Sequence, residues 1–251
     1  MTCHPPRGRY LDNHPVGYDD WSHDNNVIKA IEVRGKFMWW EFTNDWFMWC
    51  TYGMSGQWST EFSKHSVLTL NISKPNDIHM LSFNDPRHFG TLKLVKSRDK
   101  LDEKLSTFGF DFIRKSQSTT AFWWFLRDCR KSSLNKPIGL VMLDQRIFCG
   151  VGNYLRAEIL YSAKVSPYRL LKDVTYEEMN VICVETHKIM KNSYESGGAT
   201  LHTFKDVEGN EGSFSSRFMV YGRKTDPWGA EVKNEKMSDG RTIWWAPQIQ
   251  S

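Results

Sequence analysis

Residues Leu143–Pro167, "LDQRIFCGVGNYLRAEILYSAKVSP", hold the densest structural signal in the chain. The segment before them, from Lys136, predicts a helix: Pro137 suits a first helical position, and Ile138, Val141 and Met142 form one apolar face. Asp144-Gln145 leads to a tight Gly150-Val-Gly152-Asn153 turn, after which Leu155, Ile159 and Ala163 line one stripe of a second helix. Two glycines let the backbone approach a ligand closely, because no Cβ stands in the way. Asn153 stands where an N-cap is expected, so the next free N–H groups point outward with the positive end of the helix dipole. Such a terminus suits an anion, phosphate above all. The spacing also fits a helical hairpin whose glycines only permit tight packing.

On the N-terminal side the pattern is strand-like. "VIKAIEV", "KFMWWEF", "WFMWCTYG", "SVLTLNI", "IHMLSFN" and "GTLKLV", between Val27 and Val95, are short runs rich in β-branched and aromatic residues, separated by Asn, Gly, Ser and Pro. They predict an antiparallel sandwich or barrel. The period then turns helical at "DKLDEKLSTFG", "TTAFWWFLRDCRKS" and "NKPIGLVMLDQ", and again at "NYLRAEILYSAK" and "TYEEMNVICVETHKIMKNSYESG". A polar loop, "DVEGNEGSFSSR", follows, and two strand-like pieces, "RFMVYGRK" and "RTIWWAP", close the chain. The expected architecture is α+β: an N-terminal antiparallel β-sandwich at 1–115, a helical domain at 116–205 and a terminal hairpin at 206–251.

Composition narrows the function. With 251 residues, 40% hydrophobic and 25% charged, the chain can bury real cores and wholesale disorder is excluded. A net charge of +4 permits a polyanionic partner without demanding one. Eleven Trp and fifteen Phe are core mass or flat surfaces for stacking on sugars or bases. Cys3, Cys50, Cys129, Cys149 and Cys183 are scattered, odd in number and without a C-x-x-C pair, the pattern of reduced intracellular thiols. No apolar run approaches membrane-spanning length, and "MTCHPPRGRY" lacks the hydrophobic stretch of a secretory signal.

Taken with its neighbours, the Leu143–Pro167 string resembles the helix-two-turns-helix signature of the formamidopyrimidine-DNA glycosylase / endonuclease VIII family of base-excision repair enzymes. Further pieces fall in that family's order. "RGKFMWWEF" resembles the strand bearing its active-site lysine, here Lys36. "YGMSGQWS" resembles the turn whose methionine, here Met54, fills the gap left by an extruded base. "NDPRHFG" resembles the loop in which Arg87 faces the orphaned opposite base and Phe89 wedges beside it. His65, in "KHSVLTL", is a weaker candidate phosphate contact. "FGFDF" (Phe108–Phe112) resembles the linker between domains, and "GGATL" (Gly197–Leu201) the start of the loop near the flipped base. "VYGRKTDPWG" and "GRTIWWAPQIQ" resemble the two arms of the C-terminal finger, with Arg223, Lys224 and Arg241 as DNA contacts.

What the resemblance implies is excision of an oxidised base followed by elimination at the abasic strand, with double-stranded DNA as partner, a monomer and no membrane. Turning a base out of the stack costs a few kcal/mol, which intercalated side chains such as Met54, Arg87 and Phe89 can offset. Lys36 and Arg241 match positions that assist the eliminations, and Asn153 one that grips phosphate. Two departures stand out. Most relatives hold zinc with four finger cysteines; here Trp228 follows Pro227, and Ala246 and Ile249 stand at the later cysteine positions, so no tetrahedral ligand set can be assembled. The finger is expected to be of the zincless type, without metal or other cofactor, packed through Trp228, Trp244, Trp245 and Ile249.

The family's nucleophile is an N-terminal proline amine followed by glutamate, an amine partly unprotonated near neutrality. This sequence opens with "MTCHPPRGRY", and its first glutamate is Glu32. The expectation is either an incomplete gene product or a naturally shortened relative that binds DNA without cutting it. A carbohydrate-binding sandwich and RNA binding through the helical hairpin are the alternatives of other classes.

Overall fold

Short runs of β-branched and aromatic residues build the first part of the molecule as strands. The structure, a computed structural model, describes residues 2–4, 10–74, 77–113, 117–199 and 206–251. The chain divides into two compact units, Met1–Ser106 with Ala199–Gly212, and Thr107–Gly198 with Ser213–Ser251.

In the first unit, β1 (Thr2–His4), β6 (Ser66–Lys74), β7 (Asp77–Asn84) and β5 (Gln57–Ser59) pair in that order as one antiparallel sheet. A second antiparallel sheet runs β2 (Ile28–Arg34), β3 (Phe37–Phe42), β4 (Phe47–Thr51) and β8 (Thr91–Val95). Their inner faces share a core of Trp40, Phe42, Met48, Trp58, Leu68, Leu70, Phe83, Leu92 and Leu94. The rings of Trp40 and Trp58 meet across the sheets at 5.0 Å, and a short helix α1 (Tyr18–Ser22) adds Tyr18 and Trp21. Each such buried side chain contributes about 1.5–3 kcal/mol over its exposed state, which accounts for much of the aromatic load. The outer aromatics Phe37 and Phe47 meet α2 (Arg98–Ser106) through the cations of Lys104 and Arg98. The six expected runs are β2, β3, β4, β6, β7 and β8 of this pair of sheets, and the short strands β1 and β5 are additions that the sequence reading did not name.

The second unit is built on helices. Ser118 caps α3 (Thr119–Cys129), and a Thr175/Glu178 capping box opens α6 (Tyr176–Glu195). β9 (Phe110–Asp111) and β10 (Phe148–Cys149) form a small parallel pair beside the rings of Phe112, Phe122 and Phe148. The helix expected over "NKPIGLVMLDQ" is shorter than its pattern: α4 covers only Ile138–Val141. Pro137 lies before it in extended conformation, bridged to Leu170, and Asp144 turns its carboxylate onto the N–H of Arg146, a local bond that competes with helix.

α5 (Asn153–Ser162) is buried on every side from Leu155 to Tyr161, Arg156 and Glu158 included. An antiparallel hairpin, β11 (Lys233–Lys236) and β12 (Thr242–Trp245), packs on α5. Its first strand is thus not the predicted "RFMVYGRK", whose N–H groups at Met219, Val220 and Tyr221 go to the Glu158 carboxylate rather than to a strand. The expected packing is also corrected. Trp228 is 75% exposed and Ile249 36%, while Val220, Val232, Met237, Ile243 and Ala246 form the hairpin's core with Trp244 and Trp245 half-buried beside it. No helix among the described residues is long and apolar enough to cross a membrane.

Candidate nucleic-acid interface

Within the first unit, two loops meet. The β4–β5 turn carries Met54 and the β7–β8 turn carries Arg87 and Phe89; Met54 is 72% exposed and Phe89 54%. Their contact is a glycine against a backbone. Gly53 has φ 61°, and a Cβ there would lie 2.5 Å from the Phe89 carbonyl carbon. Asp85, buried at 1%, locks the pair: it accepts from Ser55 Oγ at 3.2 Å in the Met54 loop and from Gly90 N at 2.7 Å behind Phe89. Its own N–H donates to the carbonyl of His65 at 2.9 Å, bringing that residue to the same cluster. The Arg87 guanidinium lies 5.1 Å from the Phe89 ring centroid, a cation over an aromatic face. The loops bearing Met54, Arg87 and Phe89 are thus packed together, with the His65 backbone bonded beside them, and the exposed Met54 chain, Phe89 ring and Arg87 cation stand on these adjoining loops. Lys36 is exposed in the tight β2–β3 turn, next to Gly35 at φ 58°.

In the second unit the glycine turn is held by Gln145, which accepts from Gly150 N at 2.9 Å and donates to the carbonyls of Val151 and Leu143. Gly152, not Asn153, is the N-cap of α5, and no side chain caps that terminus. Asn153 is already helical, and its amide donates to the Thr242 carbonyl at 2.9 Å while accepting from Arg156 Nη2 at 2.6 Å. Arg156, fully buried, also donates to the Gly139 carbonyl at 3.0 Å. An unpaired cation there is untenable, so these acceptors are what allow it to be buried, and burial holds its pKa below the usual guanidinium range. Thr242 follows Arg241, which is exposed at the hairpin turn. Asn153 and Arg241 are therefore brought together through the backbone of β12. Arg223 and Lys224 are exposed at the other turn of the finger.

Glu158, two residues further along α5, performs the matching task. Its carboxylate accepts from Met219 N at 2.7 Å, Val220 N at 3.1 Å and Tyr221 N at 2.8 Å; desolvation raises its pKa while those bonds pull it down. The Pro227 turn is closed by Asp226, which accepts from Tyr161 Oη at 2.6 Å and from the N–H groups of Trp228 and Ala230. At the chain's end, Gln250 donates to Val165 and accepts from Ala246 N. The cysteines of the sequence stop at Cys183, and among the described residues no group of three or more His, Cys, Asp and Glu converges. Residues at the finger turns do not fit a zinc tetrad; hydrogen bonds and apolar packing hold the turns together.

These features meet their counterparts in known proteins. Formamidopyrimidine-DNA glycosylase models match the chain as an N-terminal domain at residues 8–92, a helix-two-turns-helix domain at 111–205 and a C-terminal domain at 205–251. The chain belongs to the formamidopyrimidine-DNA glycosylase / endonuclease VIII family. Members of this family of base-excision repair glycosylases that it resembles include the formamidopyrimidine-DNA glycosylase of Exiguobacterium, 28% identical over 243 residues, spanning 92% of this chain and 85% of that protein. The Zymomonas mobilis glycosylase is 33% identical over 175 residues, 68% of this chain and 62% of that protein. Among solved structures, the MutM (Fpg) protein of Thermus thermophilus superposes at a TM-score of 0.82 with 26% identity, covering all of this chain and 90% of that one. The Lactococcus lactis Fpg, solved with an abasic-site-containing DNA, shares the fold at a TM-score of 0.82 and 24% identity, covering all of this chain and 92% of that one.

The glycosylase-family residues that sequence reading passed over are the ones that hold the exposed set in place: Ser55, Asp85, Gln145, Arg156 and Glu158. A signal existed for two of them. Arg156 and Glu158 interrupt the apolar run Leu155, Ala157, Ile159, Leu160, and ionisable groups inside a helix buried all round must have partners. Of the predicted residues near the loop expected to meet a flipped base, Thr200 and Leu201 lie outside the described residues, while Gly197 and Gly198 end α6 in left-handed conformations at φ 74° and 81°.

Proposed function

We propose that this glycosylase-family chain recognises oxidised-base or abasic lesions in double-stranded DNA and acts inside the cell, as a monomer, wherever that DNA resides. The observation that carries the reading is that Asp85 ties the loop of Met54 to the loop of Arg87 and Phe89, beside the His65 backbone. A long thioether, a cation and a ring have the shapes that refill a stack once a base has left it. Asn153, Arg223, Lys224 and Arg241 supply the phosphate grip, through side chains or through the uncapped terminus of α5. In functional terms the chain has three parts: a sandwich bearing the wedge at 1–115, a helical DNA clamp at 116–205 and a finger free of metal at 206–251.

Excision and strand elimination are the reactions of the family to which these residues point. Lys36 and Arg241 carry charge suited to the phosphates and leaving groups of elimination. Borohydride trapping on a duplex with a natural abasic site tests the reading. A covalent adduct supports the lyase, since reduction fixes the Schiff base. Tight binding without an adduct reduces the function to damage recognition.

A further inference from the structure

The turn that presents Arg241 also carries its own anion. Asp239 Oδ1 accepts from the Arg241 N–H at 3.0 Å, and Oδ2 lies 3.7 Å from Arg241 Nη1. The same Oδ2 stands 4.0 Å from Nη1 of the buried Arg156. One carboxylate, about a quarter exposed, thus sits between a guanidinium with no access to solvent and one whose side chain is 61% exposed. The turn is closed without it, by Met237 N to the Arg241 carbonyl at 3.0 Å and Gly240 N to the Met237 carbonyl at 2.9 Å. The charge of Asp239 is therefore spare as far as the backbone is concerned.

The two cations compete for it unequally. Arg156 cannot leave, because the carbonyls of Gly139 and Thr242 and the Asn153 amide oxygen hold it. Arg241 can swing, being tethered only at 3.7 Å to a partly solvated oxygen, a contact of the weak, screened kind. A phosphate arriving at Arg241 offers a bidentate partner, which a carboxylate at that distance does not provide.

We propose that Asp239 is a specificity-determining residue for DNA binding: it occupies Arg241 as a resident counter-ion and is exchanged for a backbone phosphate, remaining behind on Arg156. Arg241 then adds little affinity for stray anions, and contributes fully only to a strand positioned well enough to displace the carboxylate. This rests on the reading of Arg241 as a phosphate contact.

The test is a double-mutant cycle of Asp239→Asn and Arg241→Gln, read as dissociation constants for a duplex carrying a tetrahydrofuran abasic analogue at roughly 0.15 M salt, where remote charges are screened. Asparagine keeps an oxygen for the Arg241 N–H, so the turn persists; Asp239→Ser, another short acceptor, is the second variant should the first misfold. The exchange predicts that D239N tightens binding by about two- to fivefold in the parent, the equivalent of one exposed ion pair. In the R241Q background it predicts a gain below about 1.5-fold, because the competed cation is gone. The slope of log Kd against log salt falls by about one in R241Q and is unchanged in D239N, since the same phosphates are contacted. An equal gain in both backgrounds, no gain, or weaker binding by D239N in the parent overturns the proposal. An R241Q variant that binds like the parent overturns instead the underlying assignment of Arg241.

Discussion

The side-chain amide of Asn153 donates to the backbone carbonyl of Thr242 at 2.9 Å, so the first residue of α5 is bonded to the strand beside Arg241. The glycine turn and the finger are therefore one structural piece. Asn153→Ala removes that bond and the oxygen that accepts from buried Arg156 at 2.6 Å. The expected cost is about 1–3 kcal/mol of stability, the penalty of stranding a buried donor, with weaker duplex binding because Arg241 loses its anchor. Urea unfolding and fluorescence anisotropy check the two effects; a variant as stable and as tight as the parent would show that the link is incidental.

Asp85 makes a separable prediction. Asp85→Ala frees Ser55 and Gly90, and with them the loops bearing Met54 and Phe89. Affinity for a lesion-containing duplex is expected to fall toward that for undamaged DNA, while binding to undamaged DNA, which rests on phosphates, changes little. Loss of both in parallel would mean that Asp85 supports the whole unit and not the wedge.

Gly53→Ala tests the contact between those loops by shape. The residue has φ 61°, and the added carbon would fall 2.5 Å from the Phe89 backbone, so both conformation and space oppose it. A loss of more than about 1 kcal/mol is expected in denaturant unfolding. An unchanged midpoint would mean that the two turns do not pack as described.

Much of this was legible in the sequence, and the reasons for the remainder are physical. Six strands of the sandwich, β2, β3, β4, β6, β7 and β8, coincide with apolar and aromatic runs between turn residues, and α2, α3, α5 and α6 with the helical runs, whereas β1 and β5, three residues each, have no run long enough to read. "RFMVYGRK" has strand-like composition, yet its N–H groups go to Glu158, a partner 61 to 63 residues earlier in the chain that no local pattern reveals. "VKNEK" forms β11 although it is polar, because its backbone pairs with β12 while Lys233, Asn234 and Lys236 stay exposed. Trp228 and Ile249 were expected inside on hydrophobicity alone; the adjacent Asp226 closes the turn by hydrogen bonds and leaves the indole outside. Met54, Arg87 and Phe89 are exposed and stand in motifs legible in the sequence. Asp85 is buried, and the two loops it ties together adjoin only once the chain has folded.

The finger has a pH signature. The Tyr161 hydroxyl, then the Trp228, Gly229 and Ala230 amides, hold Asp226 below its ordinary value of 3.8. A carboxylate with a lowered folded pKa contributes stability above its unfolded value and loses it as pH falls through the folded one. The stability gap between the parent and Asp226→Asn should be constant above pH ~5 and close progressively below pH ~4. Unfolding midpoints across that range decide it, and a gap that does not depend on pH would contradict the Tyr161–Asp226 bond.

The most direct measurement is equilibrium binding of the purified chain to two duplexes of one sequence, one carrying a tetrahydrofuran abasic analogue and one intact, from about 50 to 200 mM salt. The predicted result is affinity that falls as salt rises for both, with the lesion duplex held at least about tenfold tighter because no stacking need be broken to admit Met54 and Phe89. Equal affinity for the two duplexes, or none for either at the lowest salt, would contradict the account.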